Sequence, residues 1–224
     1  MTENVLLAGV VGSTAYGLAH EGSDVDRLGV YAVPTEMLHG LVDPPWSVVS
    51  TNPDLTMHEA VKWCRLALSC NPTAMELVWL NEYEVIRPLG AELITIRKAF
   101  LSAKAVRNAY LGYATQQLTK LKLREPDDES RLKSEKNARH LYRLVIQGTH
   151  LHQTGELMIK LPDPELVRWT GEQISAEPRI GDGVIRQAEE VFNEPSALPA
   201  EPDKEAVQEW LLSVRRAFYE KSDE

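Results

Sequence analysis

The stretch that most constrains this chain lies between Val10 and Val30 and reads VVGSTAYGLAHEGSDVDRLGV. Two aspartates, Asp24 and Asp26, stand one residue apart in a run that otherwise favours a β-strand. On a strand, the side chains at positions i and i+2 project from the same face. Two carboxylates side by side repel each other and are driven toward protonation unless a cation lies between them. The stretch therefore predicts a cation-binding pair.

A Gly-Ser turn precedes the two aspartates and follows a short apolar run over residues 5–11. Gly12 lets the backbone approach a phosphate, and Ser13 and the next N–H groups can donate hydrogen bonds to it. The same geometry would let Ser13 cap a helix that begins near Thr14. Paired carboxylates suit Mg²⁺, which keeps waters and substrate phosphates as its other ligands. A phosphate cradle beside a metal-binding pair is what transfer of a nucleotidyl group requires.

Composition limits the class of protein. The 224 residues are 43% hydrophobic and 25% charged, as in ordinary globular proteins, and no apolar run is long enough to span a membrane. The net charge of −9 argues against a protein that coats nucleic acid without sequence preference. Cys64 and Cys70 point to different faces of one predicted helix, so we expect free thiols. With no leader sequence in view, we expect a cytoplasmic protein without a membrane partner.

The periodicity of the chain changes near residue 88. Before it, strand-like runs cover residues 24–33 and 47–51, a helical period starts near Met57, and a second short helix covers 72–80. Beyond it, nearly every segment has a helical period. We therefore predict an α/β unit over 1–87 and an all-helical C-terminal domain over 88–224, with helices at 89–101, 103–123, 130–153, 163–175, 182–193 and 203–221.

The order of these motifs carries a family resemblance. Gly12-Ser13 followed by Ser23-Asp24-Val25-Asp26 resembles the signature of the DNA polymerase β-like nucleotidyltransferase superfamily. The chain is closer still to the branch from bacteria and phages that is associated with RNA repair. Over roughly residues 5–175 it matches that branch at Tyr16-Gly17, Gly29-Val30, Lys62-Trp63, the run Asn71-Pro72-Thr73-Ala74-Met75-Glu76-Leu77, and a basic helix with Lys136, His140 and Arg143-Leu144.

The resemblance implies an α+β fold with a mixed sheet, two divalent ions (Mg²⁺ or Mn²⁺) and an NTP such as ATP as substrate. It also implies a third carboxylate on a neighbouring strand. We predict Asp54 for this position, with Glu59 as the alternative and Asp43 as a turn residue. Asp24, Asp26 and Asp54 are thus the predicted catalytic and metal-binding residues, and Gly12 and Ser13 the predicted phosphate contacts.

Three further residues in the first part of the chain have two interpretations each. Tyr16 is either a nucleotide contact or a core residue. Glu76 lies in an apolar helix and needs a partner, so a structural ion pair, for which Lys62 is available, is favoured over catalysis. Arg27 follows the second aspartate, where it can reach solvent or phosphate.

The basic helix places Lys133, Lys136, His140, Arg143 and Gln147 on one face, because they are three and four residues apart. Such a stripe is either a solvated surface or a phosphate clamp. We predict nucleotide contacts for Lys136, His140 and Arg143. A general-base role for His140 is less favoured, because a metal ion would already activate the acceptor hydroxyl.

These features together predict a metal-dependent nucleotidyltransferase that joins the NMP part of an NTP to an acceptor hydroxyl and releases pyrophosphate. By family analogy the acceptor is an RNA 3′ end, in particular a tRNA-like one. The alternatives are a protein side chain, as in an AMP-transferring modifier, and a non-catalytic nucleotide-binding or toxin-neutralising module. The intact pair Asp24 and Asp26 favours an enzyme.

Overall fold

A computed structural model describes residues 4–123 and 128–219 of the chain, with the side chains of 128–131 left out. Within these ranges the chain forms a five-stranded sheet and nine α-helices, so the predicted α+β class is confirmed. The strands are β1 (Val5–Val10), β2 (Arg27–Tyr31), β3 (Ser47–Thr51), β4 (Asp54–Glu59) and β5 (Val85–Ile86). The helices are α1 (Gly12–Tyr16), α2 (Ala60–Leu68), α3 (Pro72–Leu77), α4 (Pro88–Thr95), α5 (Ala103–Lys122), α6 (Asp128–Thr154), α7 (Pro164–Ala176), α8 (Pro178–Asn193) and α9 (Lys204–Ala217).

The sheet is mixed and has the strand order β3-β4-β2-β1-β5. The central strand β2 pairs antiparallel with β1, where Arg27 lies opposite Val10, and parallel with β4, where Arg27 lies opposite Leu55. Leu28 and Val30 of β2 are buried, as expected of a strand with neighbours on both sides. The residues that lead into β2 therefore arrive at the edge of the sheet where β1 ends and α1 begins.

Strand β2 is shorter than the predicted strand over 24–33. Its pairing with β1 begins at Val10 and Arg27, because Gly12 turns the chain away into α1. One more backbone bond, from the N–H of Val11 to the carbonyl of Asp26 at 2.9 Å, ends this contact. Asp24 is thus in an extended segment before the strand and not on it.

The prediction that a helix starts near Met57 is also wrong in its first residues. Met57 belongs to β4, and the helix begins at Ala60. The start of α3 is as predicted, because the side chain of Asn71 caps it and Pro72 is its first residue. Cys64 and Cys70 are buried free thiols, and burial with the nearby Glu59 carboxylate raises the pKa of Cys64 to about 12.

The chain divides into two compact units, which are described separately. Residues 1–101 and 202–224 form the first unit, and residues 102–201 form the second. The predicted boundary at 87/88 followed the change in periodicity, and it differs from this division because α4 and α9 group with the sheet. The extent of a separate helical domain stays a prediction. None of the described helices combines the length and apolar character needed to cross a membrane.

In the second unit the described elements are the helices α5 to α8, and α6 packs against the other three. The apolar side of α6 is buried through Leu141, Leu144 and Leu151. Gly148 lies so close to the ring of Tyr110 that a Cβ there would be 2.6 Å from the tyrosine Cβ. Helix α6 is thus fixed on one side by close packing, which determines which of its polar residues reach solvent.

A buried ion pair fastens α9 to the sheet of the first unit. The Arg215 guanidinium donates to both carboxylate oxygens of Glu59, at 2.6 and 3.1 Å. The side chain of Glu59 has no exposed surface, and it also accepts the backbone N–H of Val61 at 2.8 Å, which caps α2. One carboxylate therefore joins β4, α2 and α9.

We expect Arg215→Met to lower the free energy of unfolding by about 3–5 kcal/mol, because it leaves Glu59 as a buried charge without its cation. Arg216→Met is the matched control, since that side chain is exposed, and it should change stability by less than about 0.5 kcal/mol. Urea unfolding of both variants measures the difference. Equal stabilities would contradict the role assigned to this pair.

Candidate active site

The predicted Gly-Ser turn and the second aspartate are in direct contact. Gly12 has a φ of 69°, in the left-handed region that favours glycine. A Cβ built on Gly12 would be 2.2 Å from Oδ2 and 3.1 Å from Cγ of Asp26. Only the absence of a side chain at position 12 lets the backbone approach this carboxylate so closely.

Helix α1 starts immediately after this contact. Its N-cap is Val11, with no side-chain hydrogen bond to the first turn, and Ser13 is already inside the helix. The interpretation of Ser13 as the helix cap is therefore wrong. The Ser13 carbonyl accepts the N–H groups of Leu18 and Ala19 at 2.8 and 3.1 Å, which folds the following loop back onto α1. The first N–H groups of α1 thus have no side-chain acceptor at the cap position.

Of the three predicted metal-binding carboxylates, Asp54 lies on the sheet, and Asp24 and Asp26 lie in the segment that leads into β2. Asp24 is exposed, Asp26 is partly buried, and Asp54 is the exposed first residue of β4, which runs parallel to β2. Continuing the register of Arg27 and Leu55 back by one residue sets Asp26 level with Asp54. Within the described ranges, no three His, Cys, Asp or Glu side chains are close enough together to hold a metal ion. Asp26 beside Gly12 and the exposed Asp24 two residues earlier fit a divalent cation in ligand type, and the three-carboxylate set stays a prediction.

The two other candidates for the third carboxylate differ in their surroundings. Both oxygens of Glu59 are engaged by Arg215 and the Val61 N–H, so this carboxylate has a structural partner already. Asp43 is exposed in the connection between β2 and β3, although no turn is formed at this residue itself. These positions leave Asp54 as the candidate that lies on the strand next to β2.

Tyr16 and Glu76 form a buried hydrogen bond that ties α1 to α3. The tyrosine hydroxyl donates to Oε1 of Glu76, and the two residues are 6% and 2% exposed. This contact gives the buried carboxylate a hydroxyl as a partner, where the sequence suggested Lys62. A nucleotide contact of Tyr16 stays a prediction, but the structure gives its hydroxyl a second role in holding α1.

We expect Tyr16→Phe to lower the free energy of unfolding by about 1–3 kcal/mol, because it removes a donor from a buried carboxylate. Tyr113→Phe is the matched control, since that ring is 37% exposed. Thermal unfolding followed by circular dichroism distinguishes the two variants. An unchanged stability of Tyr16→Phe would show that the hydrogen bond does not hold α1 in place.

Two interactions near the site were not predicted from the sequence. Arg27 Nε donates to both carboxylate oxygens of Glu84, at 3.0 and 3.1 Å, so the structure gives this arginine a protein partner. The Arg97 guanidinium lies 4.7 Å from the centre of the Trp79 ring, a cation–π contact. In both cases the partners are distant in sequence, and no local pattern marks them.

The predicted basic stripe on α6 does not lie in one environment. Lys133 and Lys136 are exposed, whereas Arg143 is only 3% exposed. Arg143 donates to Oε1 of Gln147 at 2.5 Å and to Nδ1 of His140 at 3.0 Å. Burial, with the positive charges of Arg143 and nearby lysines, lowers the pKa of His140 to about 3. A neutral, weakly basic imidazole is a poor general base near pH 7.

This lowered pKa predicts an acid sensitivity. The pKa of His140 is about 3 in the folded chain and near 6.5 when unfolded, so the unfolded state binds more protons between these values. Stability contributed by the neutral imidazole should therefore be present above pH 6.5 and be lost as the pH falls toward 3. Denaturant midpoints across this range should fall less in His140→Gln than in the wild type. His20→Gln, at an exposed histidine, is the control and should follow the wild type.

The mixed sheet sets a glycine turn against Asp26, with Asp24 two residues earlier, an arrangement that fits the predicted class of DNA polymerase β-like nucleotidyltransferases. The sequence model of the RNA repair pathway DNA polymerase beta family matches residues 1–173, and the chain belongs to that family. The resemblance indicated by the Gly-Ser and Ser-Asp-Val-Asp motifs is thereby confirmed. A search of curated proteins finds no match to the chain.

Proposed function

We propose that this protein is a metal-dependent nucleotidyltransferase that transfers an NMP from an NTP to the 3′ hydroxyl of an RNA and releases pyrophosphate. The observation that supports this most strongly is the contact of Gly12 with the Asp26 carboxylate. This contact places a backbone turn that can bind a phosphate directly beside a carboxylate that can bind a cation. The description of the family, which names an RNA repair pathway, supports an RNA acceptor.

The reaction forms one bond and breaks another. The acceptor oxygen attacks the α-phosphorus, the bridging bond to the β-phosphate breaks, and pyrophosphate leaves with the electron pair of that bond. The proton of the hydroxyl passes to the exposed Asp24 carboxylate or to water. The chain has to hold the triphosphate in line with the acceptor, and the first N–H groups of α1 and the Ser13 hydroxyl are suited to bind it.

The carboxylates of Asp24 and Asp26, with Asp54 as the proposed third ligand, would hold Mg²⁺ or Mn²⁺. When bound, such an ion supplies positive charge that offsets the triphosphate and the leaving pyrophosphate. Without a cation the paired carboxylates would repel a polyanionic substrate. Transfer should therefore depend on a divalent cation.

The three predicted nucleotide contacts on the basic helix α6 differ in their surroundings. Exposed Lys136 is free to meet a phosphate, and we retain it as a proposed contact. The Arg143 guanidinium is engaged by Gln147 and His140 of the same helix, and a nucleotide contact of Arg143 or His140 stays a proposal. Lys136→Ala should slow transfer with little change in stability.

The test is an incubation with each α-labelled NTP, with Mg²⁺ or Mn²⁺, and with either total RNA or protein from a cell lysate. The proposal predicts label in RNA only, dependent on the cation, and absent in the Asp24→Asn, Asp26→Asn double variant. Label in protein would replace the RNA acceptor by a protein side chain. Nucleotide binding without transfer to either acceptor would contradict an enzyme and favour a binding module.

A further inference from the structure

A cleft of about 420 Å³ lies in the first unit, away from the aspartate pair. It is formed by the 3₁₀ turn at Thr35–His39 and by the last turns of α9. Its lining consists of Thr35, His39, Leu212, Arg215, Arg216 and Tyr219. Among the residues that the structure describes, no acidic side chain lines it, although the whole chain carries a net charge of −9.

The residues that line the cleft fall into two groups, those held by hydrogen bonds and those with exposed side chains. Arg215 is held by Glu59, and the Thr35 hydroxyl donates to the Arg215 carbonyl at 2.6 Å. His39, Arg216 and Tyr219 are exposed, with 59% of the tyrosine accessible, and they make no hydrogen bond or ion pair with the part of the chain that the structure describes. The imidazole, guanidinium and phenol groups of these three residues thus line one cleft and are available to bind a ligand.

Position along β2 separates this cleft from the candidate active site. Asp26 precedes the first residue of β2, and Thr35 follows the last one. The five residues of β2 alone span about 13 Å, and the nine steps from Asp26 to Thr35 span at most about 30 Å. Single-stranded RNA extends by about 3.4 Å for each stacked nucleotide, so a strand of about nine nucleotides is long enough to cover the upper value.

We propose that this cleft binds a nucleotide of the acceptor RNA upstream of its 3′ end, with a base on the Tyr219 ring and a phosphate on Arg216. The inference rests on the proposed RNA acceptor and adds a second contact to it. Single-stranded RNA is recognised by stacking of unpaired bases on aromatic rings and by cationic side chains at the phosphates. The cleft offers that combination within one concavity.

A peptide is a poorer match for the same lining. A docked peptide needs backbone partners or a deep apolar pocket. Most of the exposed lining is apolar, and the cleft is open rather than deep; His39 and Arg216 add two groups able to donate to an anion. A flexible chain with alternating aromatic faces and negative charges uses all of them.

The experiment measures the affinity of the full chain for labelled oligoribonucleotides of two lengths by fluorescence anisotropy. An oligonucleotide of about 12 residues is long enough to reach both sites, and a dinucleotide is not. Tyr219→Ala should weaken binding of the long oligonucleotide about five- to tenfold, and Tyr219→Phe should retain it, because stacking needs the ring and not the hydroxyl. Arg216→Ala should weaken it at low salt and by less at high salt. Arg186→Ala, an exposed arginine on α8, is the matched control and should bind as the wild type does.

Unchanged affinity of both cleft variants for the long oligonucleotide would overturn the inference, as would a wild type that binds no RNA. Preferential binding of an acidic peptide over RNA, abolished by the same variants, would also overturn it. If the wild type and both variants label RNA at equal rates and bind it with equal affinity, RNA binding by the cleft is rejected. The proposed function is then retained. Transfer to protein only, in the wild type and the variants, would reject the RNA acceptor and with it the assignment of the cleft to an acceptor strand, even if the variants bind RNA less tightly.

Discussion

Replacing Asp26 by asparagine is expected to reduce nucleotidyl transfer about a thousandfold or more while the fold stays intact. The substitution removes one of two adjacent negative charges that would hold the cation, and the carboxylate that Gly12 contacts loses its charge. Asparagine has nearly the same shape as aspartate, so no cavity forms. Stability without metal should be unchanged or slightly higher, because a repelling pair is relieved. Label incorporation from an α-labelled NTP, together with thermal unfolding, measures both effects.

Asp43→Asn is the matched control for this prediction, since Asp43 is exposed and lies in the connection between β2 and β3. It removes the same charge from the same unit and should leave transfer unchanged. Near wild-type transfer by the Asp24→Asn, Asp26→Asn double variant would show that the cation site has been placed on the wrong residues.

The second large effect is expected from Gly12→Ala. The new Cβ would be 2.2 Å from Oδ2 of Asp26, so the carboxylate or the turn has to move. The residue would also keep a φ of 69°, which costs a side-chain-bearing residue about 1–2 kcal/mol. We expect transfer to fall about a hundredfold, with stability lowered by that strain.

Gly112→Ala controls for the loss of a glycine, because a Cβ on Gly112 meets no atom within 4 Å. It should leave kcat/KM unchanged and leave stability equal or higher, since alanine favours a helix. If Gly12→Ala keeps wild-type kcat/KM and nucleotide affinity, the turn is not a phosphate cradle.

The features that could be predicted from the sequence are those that depend on local spacing. Gly12 and Asp26 are 14 positions apart, yet each belongs to a short motif. The Gly-Ser motif by itself suggests phosphate binding, and the Asp-x-Asp motif by itself suggests cation binding. The family match over residues 1–173 confirms the assignment of class. The start of α3 was equally local, because Asn71 and Pro72 determine it.

The features that could not be predicted depend on tertiary contacts. Glu59 and Arg215 are 156 positions apart, and nothing near either residue marks it as a partner of the other. The same is true of the hydroxyl that Tyr16 donates to Glu76. On α6, spacing placed Lys136 and Arg143 on one face, but packing against neighbouring helices buried only the arginine. Helical periodicity predicts on which side of the helix a residue lies, but not whether that side faces solvent or a neighbouring helix.

The central claim is that the pair Asp24 and Asp26 supports transfer of an NMP to a 3′ hydroxyl, and one measurement tests it most directly. Pyrophosphate release and label incorporation are followed together, with an oligoribonucleotide that ends in a 3′ hydroxyl or in a 3′-deoxyribose. The account predicts equal amounts of pyrophosphate and incorporated label with the hydroxyl, neither with the deoxy end, and neither from the Asp24→Asn, Asp26→Asn double variant. Incorporation that is equal with both ends, or retained by the double variant, would contradict it.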